Sequence, residues 1–369
     1  MKSTVYFMDL RASYKDNLLK KLDRLMDSAG IQKIIKQRTL VAVKLHFGEL
    51  GNTAFIRPVF IRQIADKIKS TGGAPFLTDT NTLYRGTRSV GTDHIQTAIR
   101  NGFSYSVVDA PVVIADGLRG NNEKPVDIDR KQFKTVFIAS EIASADAMVS
   151  VAHFKGHELT GLAGTLKNIG MGCASRRGKL AQHSSVSPKV KRKKCIGCGD
   201  CIAGCPSEAI VLDADDKAVI DSKTCIGCGE CIVICPEGAV NIRWDQDVPL
   251  FMEKMVEYAA GALKDKKEKA LFLNFLTDIS PACDCPPYND APIVKDIGIL
   301  ASRDPVAVDQ ASVDLVNGET GLQGSVLKTS MGAGMDKFKA MYPEIDWALQ
   351  LDYAESLGLG TRRYVLVKT

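Results

Sequence analysis

The chain has 369 residues, of which 45% are hydrophobic and 25% are charged, and its formal net charge is +5. This composition is typical of a globular protein with a substantial core, in a chain longer than one average domain. No apolar run approaches the roughly 20 residues of a membrane span. The first residues also lack the apolar core and cleavage site of a secretory signal. We therefore expect a cytoplasmic protein that does not engage a membrane.

Strand-like and helix-like segments alternate through the first 150 residues. The predicted strands are Thr4–Leu10, Leu40–Phe47, Pro75–Thr80, Ser106–Asp109, Thr135–Ala139 and Met148–Ala152, and the predicted helices are Lys15–Ala29, Ile56–Ser70 and Asp93–Asn101. The strands are rich in β-branched and apolar residues, whereas the helices repeat apolar residues every three to four positions. This alternation predicts a layered α/β fold with a largely parallel sheet.

The sequence changes character at Ser187–Lys194, a polar and basic segment, and a repeat with a period of 30 residues follows. CIGCGDCIAGCPSEAI, which starts at Cys195, recurs as CIGCGECIVICPEGAV, which starts at Cys225. The repeat segment extends to about Trp244.

After the repeat, the α/β pattern resumes with few further strands. Here we predict helices at Val248–Leu263 and Asp304–Val316, and strands at Ala270–Leu276 and Arg363–Lys368. Since these strands are too few for a separate sheet, we expect one α/β domain, residues 1–187 and 246–369, that is interrupted by a small α+β cluster-binding module at 188–245.

Each half of the repeat has the pattern C-x2-C-x2-C-x3-C-P, which is typical of a bacterial two-cluster ferredoxin. Three closely spaced thiolates ligate one [4Fe–4S] cluster, and the fourth cysteine, before proline, ligates the other cluster. This assigns Cys195, Cys198, Cys201 and Cys235 to one cluster, and Cys225, Cys228, Cys231 and Cys205 to the second. Paired zinc sites are the alternative, but eight cysteines in this order favour iron.

Two oxidised clusters with their thiolates carry about −2 each, which brings the formal charge from +5 to about +1. A charge so close to zero gives no reason to expect nucleic acid as a partner.

Outside the repeat, polar residues follow three predicted strands. His46 closes the second strand, Asp79 and Asn81 lie at the end of the third, and His153 follows the strand that ends near residue 152. In α/β folds the carboxyl ends of parallel strands open into the ligand crevice. We therefore expect these residues to converge on one site, although a lone histidine is more often a structural residue.

The segment after His153 adds further candidates. The candidate catalytic residues are His46, His153, Lys155, His157, Lys167 and Asn168. Neutral imidazole can ligate a metal or transfer protons, and the two lysines would hold a small anionic substrate, unless they are ordinary surface lysines. Asp309 is a further candidate to face the crevice, whereas Asp304, before a proline, is expected to cap a helix.

Cys283 and Cys285 lie in a proline-flanked loop, PACDCPP. Together with Asp79 and Asn81, we assign them to an additional metal or a small organic cofactor. Cys173 is a candidate third thiolate for such a metal. The alternatives are a redox-active pair and two incidental loop thiols.

Four segments carry a family resemblance: VKLHFGELGN (Val43–Asn52), FLTDTNTLYRG (Phe76–Gly86), HFKGHELTGLAGTLKNIGMGC (His153–Cys173) and SRDPVAVDQAS (Ser302–Ser312). They are similar to the family catalogued as domain of unknown function 362, whose members commonly carry a two-cluster ferredoxin. The resemblance implies an iron–sulfur-binding cytoplasmic protein of anaerobic metabolism, but no particular reaction. Residues 153–172 also resemble a His- and Gly-rich motif of lactate-racemase-type proteins, which bind a nickel-pincer cofactor, although the spacing departs from theirs and the ferredoxin is foreign to them.

Three functions are compatible with these patterns. The first is a reductase that takes single electrons from a ferredoxin or flavodoxin and delivers them to the α/β site. The second is a non-enzymatic electron carrier or assembly factor for a client redox enzyme. The third is an iron–sulfur redox sensor.

Overall fold

The computed structural model describes residues 2–184, 187–242 and 247–369. Its strands are β1 (Ser3–Asp9), β2 (Leu40–Lys44), β3 (Ala74–Asp79), β4 (Val112–Ile114), β5 (Glu123–Asp127), β6 (Thr135–Ala139), β7 (Ala147–His153), β8 (Lys155–His157), β9 (Gly161–Ala163), β10 (Lys189–Val190), β11 (Ile210–Leu212), β12 (Ala218–Ile220), β13 (Val240–Asn241), β14 (Ala270–Leu276), β15 (Gly298–Ser302) and β16 (Tyr364–Lys368).

Helices cover much of the remaining chain. They are α1 (Leu18–Ser28), α2 (Ile31–Ile34), α3 (Pro58–Ser70), α4 (Gly91–Arg100), α5 (Tyr105–Val108), α6 (Ser140–Ser144), α7 (Thr165–Gly170), α8 (Arg176–His183), α9 (Asp200–Ala203), α10 (Glu230–Ile234), α11 (Val248–Leu263), α12 (Pro305–Gly318), α13 (Lys337–Met341) and α14 (Ala348–Ser356), with a short 3₁₀ turn at Arg192–Lys194. None of them has the length and apolarity that crossing a membrane requires.

Eight strands form one mixed sheet in the order β16-β1-β15-β14-β7-β2-β3-β4. Only β15 runs against its neighbours, because it pairs antiparallel with both β1 and β14. The strands from β14 to β4 are parallel to one another. The fold is therefore α/β with a largely parallel sheet, and the sheet takes strands from both sides of the cysteine repeat.

Helices cover both faces of this sheet, which explains why the central strands are apolar throughout. In β14, Leu271, Leu273 and Phe275 pack into one core with α1 and α3. Alternate residues, including Phe272 and Leu276, pack into the other core with α11 and α12. A strand that is buried on both faces has no solvent side on which polar residues would alternate.

Helix ends follow the local sequence. Asp304 caps α12 by accepting hydrogen bonds from the backbone N–H groups of Val306 and Ala307, both at 2.9 Å, and Pro305 occupies the first helical position. This confirms the predicted role of Asp304. Asn17 caps α1 in the same way through the N–H of Lys20.

The repeat forms a compact module of its own. Two small ribbons, β10 with β13 and β11 with β12, flank the cysteine loops together with α9 and α10. The module has its own apolar cluster, to which Leu83 and Leu180 of the α/β part contribute. The proposed boundary between residues 245 and 246, like the segment end at Trp244, lies outside the described residues.

Most predicted elements are confirmed within a few residues, but two predictions need correction. The predicted strand Ser106–Asp109 is wrong: Tyr105–Val108 is a helical turn, and the strand, β4, follows at Val112–Ile114. A short apolar run is compatible with either a helix or a strand, and the β-branched residues of this segment did not make it a strand. Thr135–Ala139 is a strand, but it pairs with β5 in a separate ribbon and not with the main sheet. Strand β15 was not predicted.

Candidate functional site

Two small cavities inside the cysteine-repeat module are each lined by four cysteines. Cys195, Cys198, Cys201 and Cys235 line the first cavity. Cys205, Cys225, Cys228 and Cys231 line the second. The two linings divide the eight cysteines in the same way as the spacing argument. The thiolate sets fit two cubane clusters, which would be ligated by the sulfurs of each set.

The loops around these cavities turn backbone amides toward sulfur. Gly197, Gly199, Gly227 and Gly229 have φ values of 71°, 81°, 70° and 74°, a region that favours glycine. Backbone N–H groups of Ala218, Ala209 and Ala239 donate to the sulfurs of Cys195, Cys205 and Cys235 at 3.2 to 3.4 Å. Such hydrogen bonds adjust the reduction potential of a bound cluster.

A third cavity, of about 200 Å³, lies at the carboxyl ends of β2, β3 and β7. It is lined by most of the candidate residues: His46, Asp79, His153, Lys155, His157, Lys167, Asn168, Cys283 and Cys285. These strands are adjacent and parallel, so their following residues meet at one edge of the sheet. Asn81 does not line the cavity, because its amide instead bonds Asp116 at 2.8 Å and the carbonyl of Gly117 at 2.7 Å.

Asp79 is held in a network of buried cations. Lys44 Nζ lies 3.0 Å from its carboxylate, and an Arg88 guanidinium nitrogen lies 3.6 Å away. Burial by itself raises the pKa of Asp79, but Lys44 and the nearby His46, His94 and Arg88 hold that pKa well below its usual range. Asp79 is therefore an ionised counter-charge in the cavity wall. Lys44 also donates to the Asn168 side chain at 2.9 Å, which fixes that amide.

His153, Lys155 and Asp284 form a second buried network. Asp284 is fully buried, and its two carboxylate oxygens contact His153 Nδ1 at 2.9 Å and Lys155 Nζ at 2.6 Å. The other ring nitrogen of His153 faces the carbonyls of Thr277 and Asp278 at 2.9 and 3.1 Å. Because the partners of both nitrogens are acceptors, only the doubly protonated ring donates to both sides. His153 therefore positions the loop of Asp284 and offers no free nitrogen for catalysis or a metal.

The loop around Asp284 directs two thiols into the cavity. Cys285 Sγ lies 3.5 Å from His46 Nε2 and is also in contact with the thiol of Cys283. The thiol of Cys283, then His46 and Lys167, lower the pKa of Cys285 well below its usual range, against the effect of burial. The contact with Cys285 and burial raise the pKa of Cys283. The arrangement favours a thiolate at Cys285 and a thiol at Cys283.

Lys167 is a further cation in the wall of this cavity. It makes no hydrogen bond or ion pair to the part of the chain that the structure describes. Burial lowers the pKa of Lys167, but the neighbouring Cys283, Cys285 and Glu158 outweigh this effect and raise it overall. Its ammonium group is therefore available to an anionic ligand.

The N-terminus of helix α7, which carries Lys167 and Asn168, is anchored by Asp309 of α12. Asp309 accepts hydrogen bonds from the backbone N–H groups of Thr165 and Leu166 at 2.7 and 2.8 Å. Burial raises the pKa of Asp309 to about 6. Asp309 caps this helix and does not line the cavity, in contrast to the expectation that it faces the crevice. Gly164 permits the approach, since a Cβ there would overlap the Asp309 carboxylate.

Three residues at the rim of the cavity lie close enough together to be considered as a metal site. The ligand atoms of His157, Glu158 and Cys283 lie within 4.8 Å of one another. However, His157 Nδ1 receives the backbone N–H groups of Leu159 and Thr160 at 3.2 and 3.3 Å, and Glu158 is exposed. A neutral ring that accepts at Nδ1 carries its proton on Nε2 and cannot ligate there. Cys173 is buried in the core and does not line this cavity.

Several cavity residues were not predicted. Lys44, Tyr84, Arg88, Lys179, His183 and Phe251 all contribute to its wall. Lys44 in an otherwise apolar strand was an available signal, because a lysine that is buried needs a specific partner. His183 stacks on Phe251 with ring centroids 4.7 Å apart, a long-range contact that no local pattern indicates.

The cysteine-repeat module packs directly against the cavity wall. Leu83 lines the cavity and also belongs to the apolar cluster of the module. A Cβ built on Gly229, between Cys228 and Cys231, would lie 3.1 Å from Leu83 Cδ1. Arg85 donates to the carbonyls of Cys235 and Pro236 at 2.9 and 2.7 Å. Leu83 thus contacts both the cavity and the loop of the second cysteine set, and Arg85 contacts Cys235 of the first set.

Comparison with known proteins places these features in a family. No curated protein sequence matches the chain. Among solved structures, the lactate racemase apoprotein from Thermoanaerobacterium thermosaccharolyticum is similar, with 15% sequence identity and a TM-score of 0.39 over 74% of this chain and 51% of the racemase chain. The chain thus spans about half the length of that protein. The family model described as domain of unknown function (DUF362) matches residues 41–314, which is more than half of the sequence. The chain therefore belongs to the DUF362 family.

Proposed function

We propose that this protein is an iron–sulfur reductase. In this proposal, two [4Fe–4S] clusters accept single electrons from a donor such as a ferredoxin or flavodoxin. They pass the electrons to a small anionic substrate in the cavity of the α/β domain. The observation that carries the proposal is the position of Leu83, which contacts the second cysteine loop and also forms part of the cavity wall.

The exposure of the cysteines supports a direction for electron flow. Cys198, in the first set, is exposed, and the neighbouring Ile196 retains 63% of its accessible surface. The second set lies beside Leu83, which lines the cavity. Electrons would therefore enter at the first cluster and leave from the second.

A basic segment next to Cys195 supports the choice of an acidic donor. Lys189, Lys191, Lys193 and Lys194 are exposed. Arg192 is already paired with Asp213 and Asp215, so it contributes less to such a surface. Complementary charge accelerates the encounter of redox partners at low ionic strength.

The cavity residues support a small anion as the substrate. Lys44 and Lys155 are neutralised by Asp79 and Asp284. Lys167 has no such partner among the described residues. An unpaired ammonium in a partly closed cavity attracts a carboxylate or another anion more strongly than it would in water.

Anaerobic purification followed by elemental analysis tests the cluster part of the proposal. We expect about eight iron atoms and as much sulfide per chain from the cysteine count. Small molecules released on denaturation would be identified by mass spectrometry. A colourless protein that contains zinc would contradict the proposal.

Rapid mixing tests whether the clusters pass electrons to a substrate in the cavity. Chemically reduced protein is mixed with the released compound, and cluster reoxidation is followed by visible absorbance. We expect Lys167→Met to slow reoxidation at least tenfold while the iron content is unchanged. The control is Lys131→Met, since Lys131 is an exposed lysine. Equal rates in wild type and Lys167→Met would indicate a carrier that does not use the cavity.

A further inference from the structure

The C-D-C segment presents two thiols on one side of a fixed loop. Cys283 and Cys285 both line the cavity, whereas Asp284 between them is fully buried and does not line it. His153 and Lys155 hold the side chain of Asp284. The backbone carbonyl of Asp284 accepts a hydrogen bond from the backbone N–H of Glu49 at 3.1 Å. The pair of sulfurs is therefore positioned by contacts that do not involve sulfur.

The two thiols differ in exposure and in surroundings. Cys283 is buried, with 4% of its surface accessible, whereas Cys285 is half-buried and faces the cavity. His46 Nδ1 accepts the backbone N–H of Gly48 at 3.0 Å, so a neutral His46 carries its proton on Nε2 and directs it toward Cys285 Sγ. One accessible thiolate beside one buried thiol is the asymmetry of a dithiol that attacks with one sulfur and resolves with the other.

The same geometry disfavours a metal on these sulfurs. A histidine that ligates a metal through Nε2 normally donates its Nδ1–H to an acceptor. Here Nδ1 of His46 and of His157 both receive backbone N–H groups. With their protons on Nε2, the two rings donate into the cavity and do not ligate.

We propose that Cys283 and Cys285 form a dithiol–disulfide couple that reduces a small, carboxylate-bearing organic disulfide, with Cys285 as the attacking thiolate and Cys283 as the resolving thiol. This inference rests on the proposed function, since the clusters supply the electrons. Lys167 would hold the carboxylate of the substrate beside Cys285.

The chemistry balances in two stages. The Cys285 thiolate attacks one sulfur of RSSR, an S–S bond breaks, and RS⁻ leaves. Cys283 then loses its proton to the departing thiolate and attacks Cys285 Sγ, which releases the second RS⁻ and forms the intramolecular disulfide. One electron from each cluster and one proton then break that disulfide, and they restore the Cys283 thiol and the Cys285 thiolate.

Trapping of the mixed disulfide tests the assignment of roles. Anaerobic, cluster-loaded Cys283→Ser protein is incubated with 3,3′-dithiodipropionate and analysed by peptide mass spectrometry. We expect a stable adduct on Cys285, because the resolving thiol is absent. In Cys285→Ser protein we expect at least tenfold less adduct on Cys283. Labelling of Cys283 in preference to Cys285, or no labelling at either position, would overturn the proposal.

Cluster reoxidation tests the link to the iron–sulfur module. Reduced wild-type protein mixed with the same disulfide should recover its visible absorbance, and Cys285→Ala should slow this recovery at least tenfold. Cys173→Ala is the matched control, because Cys173 lies in the core outside the cavity. Unchanged visible spectra would show that each variant is folded and loaded. Equal recovery rates in wild type and Cys285→Ala would overturn the inference.

The two proposals fail in distinguishable ways. If the clusters are absent or inert, the proposed function fails, yet the thiol pair would still turn over one disulfide per chain. If the clusters are reoxidised by another acceptor but the thiols do not react, only the inference fails. A metal other than iron that is lost in the Cys283→Ala, Cys285→Ala double variant would also overturn the inference.

Discussion

Buried charges set the chemistry of the cavity residue by residue. Asp284 is fully buried, but the opposing charges of His153 and Lys155 hold its pKa below the usual range although burial alone raises it. A buried carboxylate without such partners would be neutral. His153, one of the three histidines predicted to be catalytic, therefore serves as a positioning residue. His46 is the ring that contacts the sulfur of Cys285.

Lys179 gives a residue-scale prediction about pH. It donates to the Thr80 hydroxyl and to the carbonyls of Asn81 and Ala174, which hold no full negative charge. Burial lowers the pKa of Lys179 to about 8. Above that pH the folded state has released this proton, whereas the unfolded chain retains it up to about pH 10.4. The unfolded state then binds more protons, so the contribution of Lys179 makes folding more favourable as pH rises from 8 to 10.4.

The comparison with Lys179→Met isolates this effect. Between pH 7.5 and pH 10, the free energy of unfolding of wild type should rise relative to the variant by roughly 2 kcal/mol, since one pKa unit corresponds to about 1.4 kcal/mol. Anaerobic urea denaturation followed by circular dichroism measures both proteins at each pH. A difference that stays constant across this range would contradict the lowered pKa.

At the scale of elements, adjacent parallel strands bring the site together. β7, β2 and β3 are neighbours in the sheet, so His153, His46 and Asp79 meet at its carboxyl edge. The loop 281–287, which is distant in sequence from these strands, completes the cavity. It packs on β8, where the backbone N–H of Gly156 donates to the carbonyl of Ser280 at 2.9 Å.

Gly156→Ala tests this contact between β8 and the loop. A Cβ at Gly156 would overlap the carbonyl of Pro281, so the loop with both thiols must shift. We expect a loss of about 1 to 3 kcal/mol in unfolding free energy and a changed rate of Cys285 alkylation by iodoacetamide. The control is Gly318→Ala, at the end of α12, where a Cβ meets nothing within 4 Å. Identical alkylation rates in Gly156→Ala and wild type would contradict this packing.

At the scale of the whole molecule, a buried ion pair joins the cysteine-repeat module to the α/β part. Arg176 of α8 contacts Glu230 of α10 at 2.9 Å, and their side chains are 1% and 13% exposed. Arg176 also donates to the carbonyls of Arg119 and Ser89. These contacts hold the second cysteine loop against Leu83.

Glu230→Gln should loosen this attachment. The change leaves the buried Arg176 charge without its carboxylate, which costs roughly 3 kcal/mol when one partner of a buried pair is removed. We expect faster cleavage by trypsin within 189–194 and, under the proposed function, slower electron transfer from the clusters to the cavity. Asp129→Asn is the control, because Asp129 and its partner Lys134 are more than 80% exposed and such pairs contribute little. Equal cleavage rates in wild type and Glu230→Gln would show that this ion pair does not secure the module.

Local sequence patterns were sufficient to predict much of this structure because the features concerned depend on residues that are close in sequence. The spacing of the cysteines predicts the two sets that line the module's cavities. Apolar periodicity predicts most helices and strands, as Val248–Leu263 and Ala270–Leu276 illustrate. The α/β class follows from the order of those elements. β15 escaped prediction because its five residues, Gly298–Ser302, include only three apolar side chains and carry no distinctive pattern.

The sequence by itself determined the cysteine groups, the α/β class and the residue types available for chemistry. Only the tertiary structure decided which of them act together: it separates Asn81 and Cys173 from the cavity, engages both nitrogens of His153, and places Cys285 beside His46, which lies 239 positions away. Ligand spacing and hydrophobic period are local properties of the chain. Protonation and reactivity depend on burial and on partners distant in sequence, which exist only once the chain has folded.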